Sequence, residues 1–337
     1  MKRIVYLFML STLLFNCGND ESSETNTVPG GNLDPVFVDL NQKIEQTPND
    51  ASLYAARAQM FTEKEGYDEA LADYKRSLEL DPDNPEYLHQ LANIQMDYFR
   101  SFDALKTMEQ AVKAHPRRIP TLLKLAEFQL ILKQHNDALY TLERVRAIEP
   151  QSAEMFFMFG EVFKDMERTD EAFRAYQSAV DNDADLIDGW LNLGRIMAEQ
   201  DNDLALRYYD NALRVDPLST TAYLAKANYL GDQEKLTEAI EVYDNMIRIA
   251  PQEVDGYYNS GLIYLDLDST ETAYQRFDMA IKVDPAFVNA YYYRGLSAEM
   301  TGNFPQAKTD YEHALRFQPD YDRAQQALDR VNKLLAG

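Results

Sequence analysis

The side chains best suited to chemistry are few in this chain, and their spacing is unhelpful to a catalyst. One cysteine, Cys17, stands alone in 337 residues, so no disulfide closes within the chain and no metal site can rest on a set of thiolates. It follows directly on an apolar run, where a processing site belongs. The four histidines, His89, His115, His135 and His313, include no two spaced as metal ligands on one helical turn. Carboxylates are abundant: 56 Asp and Glu against 33 Lys and Arg leave a formal charge of -23. Most fall where a solvated helix face is expected, and any two can be neighbours by accident. No glycine-rich phosphate loop, G-x-S-x-G elbow or H-E-x-x-H pair occurs. These residues predict a protein that is not an enzyme and needs no cofactor or metal. An acidic chain also repels phosphate backbones, which argues against nucleic-acid binding. The acidity serves either solubility or the capture of a basic partner.

Residues 1–17 read MKRIVYLFMLSTLLFNC: two cations, then an apolar run from Ile4 to Phe15. That run has the length of a signal h-region and is too short to span a bilayer. The segment Leu14, Phe15, Asn16, Cys17 resembles the bacterial lipoprotein signal, in its looser Bacteroidetes-like form, with Asn16 where a small residue is usual. The resemblance implies cleavage of residues 1–16, lipidation of Cys17 and attachment to the bacterial outer membrane, on its periplasmic or its surface face. Several acyl chains on one residue hold a protein stably, whereas a single chain does so only marginally. Residues 17–32 continue as a polar, acidic tether of low hydrophobicity, expected to be disordered, with a reach of roughly 20 Å r.m.s..

Beyond the tether the chain repeats itself. YDEALADYKRSLELDP (67–82) returns in outline as TDEAFRAYQSAVDNDA (169–184), LTEAIEVYDNMIRIAP (236–251) and FPQAKTDYEHALRFQP (304–319). Aligning on the shared alanine gives units 51–84, 85–118, 119–152, 153–186, 187–219, 220–253, 254–287 and 288–321. All have 34 residues except the fifth, which has lost one near Gln200–Asp203. Positions within a unit are numbered here as columns 1 to 34. Columns 8 and 20 hold only Ala or Gly in all eight units, which lets helix backbones approach closely. Columns 4 and 24 are bulky, and column 32 is Pro in seven units and Ala184 in the fourth, ending a helix. Apolar spacing such as Tyr54, Ala58, Phe61 is helical. Each helix is too short to stand alone, so burial must come from stacking. Residues 33–50 read as the second half of a unit, with Val36, Leu40 and Pro48 in columns 20, 24 and 32; residues 322–337 read as an amphipathic capping helix.

These columns resemble the tetratricopeptide repeat in eight consecutive units. The departures are Gln95 and Gln129 in column 11 and Arg57 and Arg294 in column 7. The resemblance implies an all-α fold, a right-handed superhelical solenoid of helix-turn-helix units with a half-unit before it and a capping helix behind. It also implies a concave groove lined by columns 2, 5, 9, 12 and 13. Column 5 is apolar or aromatic from the third unit on: Leu123, Phe157, Leu191, Leu224, Tyr258 and Tyr292. Around it stand Glu154, Asp188 and Asp255 of column 2, Asn192 of column 6, and Glu127, Glu161, Arg195 and Asn228 of column 9. An apolar stripe flanked by acid suits an extended or helical peptide with apolar anchors and basic flanks. Column 5 serves equally well as support for neighbouring helices. No lysine stands in column 5, which argues against the Lys-based carboxylate clamp that some of these proteins use on chaperones.

Three functions compete. The first is a lipid-anchored scaffold that recruits a protein or peptide in assembly or regulation of outer-membrane, peptidoglycan or secretion machinery. The second is a glycan- or nutrient-binding lipoprotein, against which stands the lack of inserted segments between units. The third, a non-catalytic subunit of an enzyme complex, is remote.

Overall fold

A computed structural model describes residues 35–336; the leader, Cys17 and the tether through residue 32 lie outside the described residues. The elements are helices α1 (Pro35–Gln46), α2 (Ala51–Glu63), α3 (Tyr67–Leu80), α4 (Pro85–Asp97), α5 (Ser101–Ala114), α6 (Ile119–Ile131), α7 (His135–Arg146), α8 (Ala153–Asp165) and α9 (Thr169–Asn182). They continue as α10 (Ile187–Glu199), α11 (Leu204–Val215), α12 (Thr220–Asp232), α13 (Leu236–Ile249), α14 (Val254–Asp266), α15 (Thr270–Val283), α16 (Val288–Met300), α17 (Phe304–Phe317) and α18 (Asp322–Ala336). Even-numbered helices from α2 to α16 are the first helices of the eight units, and their odd-numbered successors the second. No strand occurs among the described residues.

The small columns sit at the centre of each hairpin. Every alanine of columns 8 and 20 is at most 1% exposed. Column 8 also faces the bulky column 24 of its own unit. A Cβ built on Gly261 would stand 2.7 Å from the Phe277 ring, and Gly194 is pressed in the same way by Tyr209. The glycine thus makes room for an aromatic ring as well as for a backbone. Column 4 joins successive units. Tyr54, Tyr257 and Tyr291 donate their hydroxyls to the carbonyls of Pro48, Pro251 and Pro285 at 3.1, 3.3 and 3.1 Å, six residues back. Where Ala184 replaces the proline, Trp190 donates its indole N–H to that carbonyl at 2.8 Å. A large ring with one polar tip fills the gap and also satisfies a carbonyl of the turn between units.

The departures from the repeat have partners. Arg57 holds Asp73 through two bonds of 2.7 Å and reaches Asn41 at 2.6 Å. Arg294 repeats the arrangement in the last unit, with Asp310 at 3.0 and 2.6 Å and Asp278 at 2.6 Å. Gln95 and Gln129 accept from Thr107 and Thr141, each at 2.8 Å. In these four units column 23 supplies the group that matches the polar residue of column 7 or 11.

Three local features differ from the sequence reading or extend it. Val36 is 53% exposed while Phe37 and Leu40 are buried, because a half-unit has no first helix of its own to cover column 20. The residue lost from the fifth unit is taken up in the first turn of α11, not in the inter-helix turn. The turn keeps its bond from Asn202 N–H to the Met197 carbonyl, whereas Ala205 now bonds Asn202 three residues back instead of four, a 3₁₀-like tightening. Column 15 is left-handed in every unit: Glu65, Phe99, Lys133, Glu167, Asp201, Glu234 and Asp268 have φ between 51° and 59°, and only the eighth unit uses glycine, Gly302 at φ 80°.

Curvature follows from which helices meet. First helices of neighbouring units touch, as α4–α6, α6–α8, α10–α12, α12–α14 and α14–α16, and α16 touches α18; no two second helices pack to that extent. The stack therefore bends toward its first helices, which form the inner face. α18 occupies the first-helix place of a ninth unit and buries Ala324, Ala327 and Val331 against α17 and α16.

Candidate partner-binding groove

The inner face is built from the exposed sides of the first helices. Its floor is column 5, and this floor is less open than the sequence implied. Leu123 and Leu191 are 9% and 4% exposed and belong to the packing between units. Phe157, Leu224, Tyr258 and Tyr292 are half-buried. Phe157 lies 5.6 Å from the Tyr176 ring. Tyr258 packs on Phe287 at 5.0 Å and Tyr293 at 5.8 Å, and Tyr292 on Tyr293 at 5.0 Å and Tyr321 at 5.3 Å. The stripe from Leu123 to Tyr292 is thus not a continuous exposed ribbon. Four residues present edges, and two are covered by the next unit, because column 5 points partly into the junction between first helices.

The polar site residues also divide. Glu154, Asp188 and Arg195 are exposed, and Asp255 and Glu127 half-buried, with Glu127 paired to Lys124 at 3.0 Å. Glu161 is committed inward: it accepts from the Tyr176 hydroxyl at 2.6 Å, from Asn192 at 3.2 Å and from Lys164 at 2.7 Å. Asn192 is 6% exposed and serves this network instead of facing a ligand. Asn228 accepts from the Tyr243 hydroxyl yet remains exposed. The same link recurs in the last unit, where Tyr311 donates to Glu299 at 2.8 Å. A column-24 tyrosine therefore reaches through its hairpin to a polar residue on the inner face. Burial, then the neighbouring carboxylate, pushes the Tyr176 and Tyr311 hydroxyls far above the ordinary range; burial alone leads the shift of Tyr209 to about 12. These groups stay protonated donors.

Two features escaped the column-by-column reading. Column 13, the last residue of each first helix, is a carboxylate in six of eight units, Glu63, Asp97, Asp165, Glu199, Asp232 and Asp266, interrupted by Ile131 and Met300. The signal was present in the alignment but was hidden among the many surface acids. Helices α4, α10, α12 and α14 end on such an acid and carry no base in their last turn, opposing the helix dipole at a cost of about 0.3–1 kcal/mol each. The second feature is Tyr293 of column 6, which joins Tyr258, Tyr292, Phe287 and Tyr321 in an aromatic wall at the far end. Between the rims lie a cleft of about 440 Å³ lined by Asn228, Asp232, Tyr243, Asn259 and Asp266, and one of about 320 Å³ lined by Lys164, Asn192, Arg195 and Glu199. Among the described residues no three His, Cys, Asp or Glu side chains are grouped to hold a metal ion, and no helix is long and apolar enough to cross a membrane.

This repeating hairpin, with its small columns 8 and 20, matches known family models in three stretches: a TPR repeat over residues 58–97 and tetratricopeptide repeats over 197–254 and 288–321. The fold is a tetratricopeptide-repeat solenoid. Arrays of this repeat are protein-interaction scaffolds, generally non-catalytic, whose partners are proteins or peptides. Among solved structures, a crystal structure of MamA protein is similar at 22% identity and a TM-score of 0.46, covering 52% of this chain and 96% of that one. A second crystal structure of MamA has 23% identity, a TM-score of 0.44, and coverage of 49% and 96%. The APC/C hetero-tetramer Cut9-Hcn1 has 17% identity, a TM-score of 0.47, and coverage of 88% and 59%. No curated protein matches the chain.

Proposed function

We propose that this chain is a lipid-anchored scaffold of the bacterial outer membrane. In this reading it holds a basic protein segment with apolar anchors along its inner face, in service of envelope assembly or secretion machinery. The observation that carries the reading is the pairing of half-buried aromatic and aliphatic edges, Phe157, Leu224, Tyr258 and Tyr292, with exposed acids on both rims. Asp188 and Glu154 stand on one rim and Glu199, Asp232 and Asp266 on the other. The acids at helix ends weaken the helices that carry them, which a residue kept only for solubility need not do. Anchoring rests on the apolar run from Ile4 to Phe15 and on Cys17 just beyond it.

The two halves of the reading are tested separately. Cys17→Ala should release the chain from membranes into the soluble fraction; undiminished membrane retention refutes the anchor. The partner is first identified by crosslinking and mass spectrometry of envelope fractions. Asp188→Lys, Glu199→Lys and Asp232→Lys together, all at exposed positions, should weaken its binding at least about tenfold, a loss of some 1.4 kcal/mol. The complex should also lose its salt sensitivity. Full-strength binding by a folded triple variant sinks the groove assignment.

A further inference from the structure

Six Lys or Arg side chains stand on the first helices of the eight units, and five of them are taken. Arg57, Lys124, Lys164, Lys226 and Arg294 each hold a carboxylate at ion-pair distance. Arg195 in α10 holds none among the described residues, although the chain has 56 Asp and Glu against 33 Lys and Arg. It is exposed in column 9 of the fifth unit, on the inner face.

A second unused donor stands beside it. The column-24 tyrosines of the fourth, sixth and eighth units donate to Glu161, Asn228 and Glu299. Tyr209 of the fifth unit is 2% exposed and makes no hydrogen bond among the described residues. Its ring presses on Gly194, where a built Cβ would stand 2.4 Å away, so its hydroxyl emerges next to Arg195. Burial raises the pKa of this hydroxyl and the Arg195 charge opposes the rise, as that closeness requires. In the fourth and sixth units column 9 supplies the acceptor; in the fifth it supplies a guanidinium, which has five donors and no acceptor. Tyr74 of the first unit also makes no bond, but its column-9 residue is Gln59, whose carboxamide can accept. What Arg195 and Tyr209 both lack is an acceptor. The cleft of about 320 Å³ opens beside Arg195, lined also by Lys164, Glu167, Asn192 and Glu199. Lys164 and Asn192 are committed to Glu161, and neither Glu167 nor Glu199 makes an ion pair with Arg195.

We propose that Arg195 and the Tyr209 hydroxyl together take one carboxylate of the bound partner, an Asp or Glu side chain within its otherwise basic segment. With Glu167 and Glu199 in the same cleft, the contact rests on directed, charge-assisted hydrogen bonds and not on net charge. A side chain is specified, not a chain end, because open apolar edges stand on both sides of the fifth unit. Phe157 lies before it, and Leu224, Tyr258 and Tyr292 lie after it, so the partner runs through. The acid then fixes register, since a partner slid along the groove sets a cation or an apolar group against Arg195. The inference rests on the groove reading and adds the one place where the partner's charge reverses.

The test selects phage-displayed random peptides, fused at their C-termini and so without a free carboxylate end, on the full chain and on Arg195→Gln. The full chain should enrich basic and apolar peptides that share one Asp or Glu at a fixed spacing. Arg195→Gln should lose that acid and keep the rest. The most enriched peptide is then made with both ends capped. Arg195→Gln should weaken its binding about tenfold and Tyr209→Phe, which keeps the ring on Gly194 and so the fold, about fivefold. Once the peptide's acid is replaced by its amide, neither substitution should change binding more than about twofold. Basic and apolar peptides enriched without a fixed acid, or with an acid that survives Arg195→Gln, leave the groove reading standing and overturn this inference. Selection of no basic and apolar peptides overturns both.

Discussion

At the scale of single residues, the two arginine–aspartate pairs carry the most concentrated energy. Asp310 is fully buried and Asp73 nearly so, and each is held by two bonds from one guanidinium. Removing one partner leaves a charge without compensation, so Asp310→Ala should destabilise by about 3–5 kcal/mol in chemical denaturation. Arg294→Leu with Asp310→Ala, which recreates the apolar pairing seen in the fourth unit, should recover most of that loss. The left-handed turn residues make an opposite case. An L residue there costs about 1–2 kcal/mol, against about 0.5–1 kcal/mol for the extra chain entropy of glycine. Phe99→Gly alone should therefore raise stability by about 0.5–1 kcal/mol, read as a higher denaturation midpoint. These residues were only partly legible beforehand. Arg57 and Arg294 showed as exceptions to a leucine column; their partners sixteen residues on come alongside only once the hairpin folds. Column 15 gave no signal, since seven of its eight residues are not glycine.

At the scale of elements, the periodicity of Ala and Gly made every hairpin legible, because a packed helix pair tolerates nothing larger at columns 8 and 20. The groove was harder, since column 5 serves packing and surface at once: Leu191 is covered while Phe157 keeps an open edge, and no single-residue property distinguishes them. The acids at the ends of first helices give a prediction in which stability and binding part company. Asp266→Lys, at the end of α14, should stabilise the protein by a few tenths to about 1 kcal/mol while weakening the partner complex. Equal or better partner affinity in that variant counts against the rim. The capping helix gives a pH prediction. Arg330 holds Glu299 at 2.5 and 2.8 Å and, through these bonds, lowers its pKa below the ordinary carboxylate range. A carboxylate with a lowered folded pKa contributes stability above its unfolded pKa of about 4.3 and loses it as pH falls through the folded value. Protection of α18 against hydrogen exchange should therefore drop at acid pH in the native chain and depend less on pH in Glu299→Gln.

At the scale of the whole molecule, units touch only their neighbours, so stability should build up as a sum over junctions. Ending the chain at residue 321 removes α18 and uncovers the apolar face formed by α16 and α17. That truncation should lower the denaturation midpoint and promote self-association in sedimentation, more than removal of residues 1–32 does.

The contacts that set curvature have a mechanical consequence. First helices are in register with one another on the inside, while the outer helices have no comparable mutual packing to break. The array can thus flex like a coil spring, its outer side spreading or closing at little cost. A ligand laid along the inside acts as a chord across that spring, fixing its arc at whatever length the ligand spans. A partner then does more than occupy the surface: it sets the stiffness of the scaffold and the distance between its two ends.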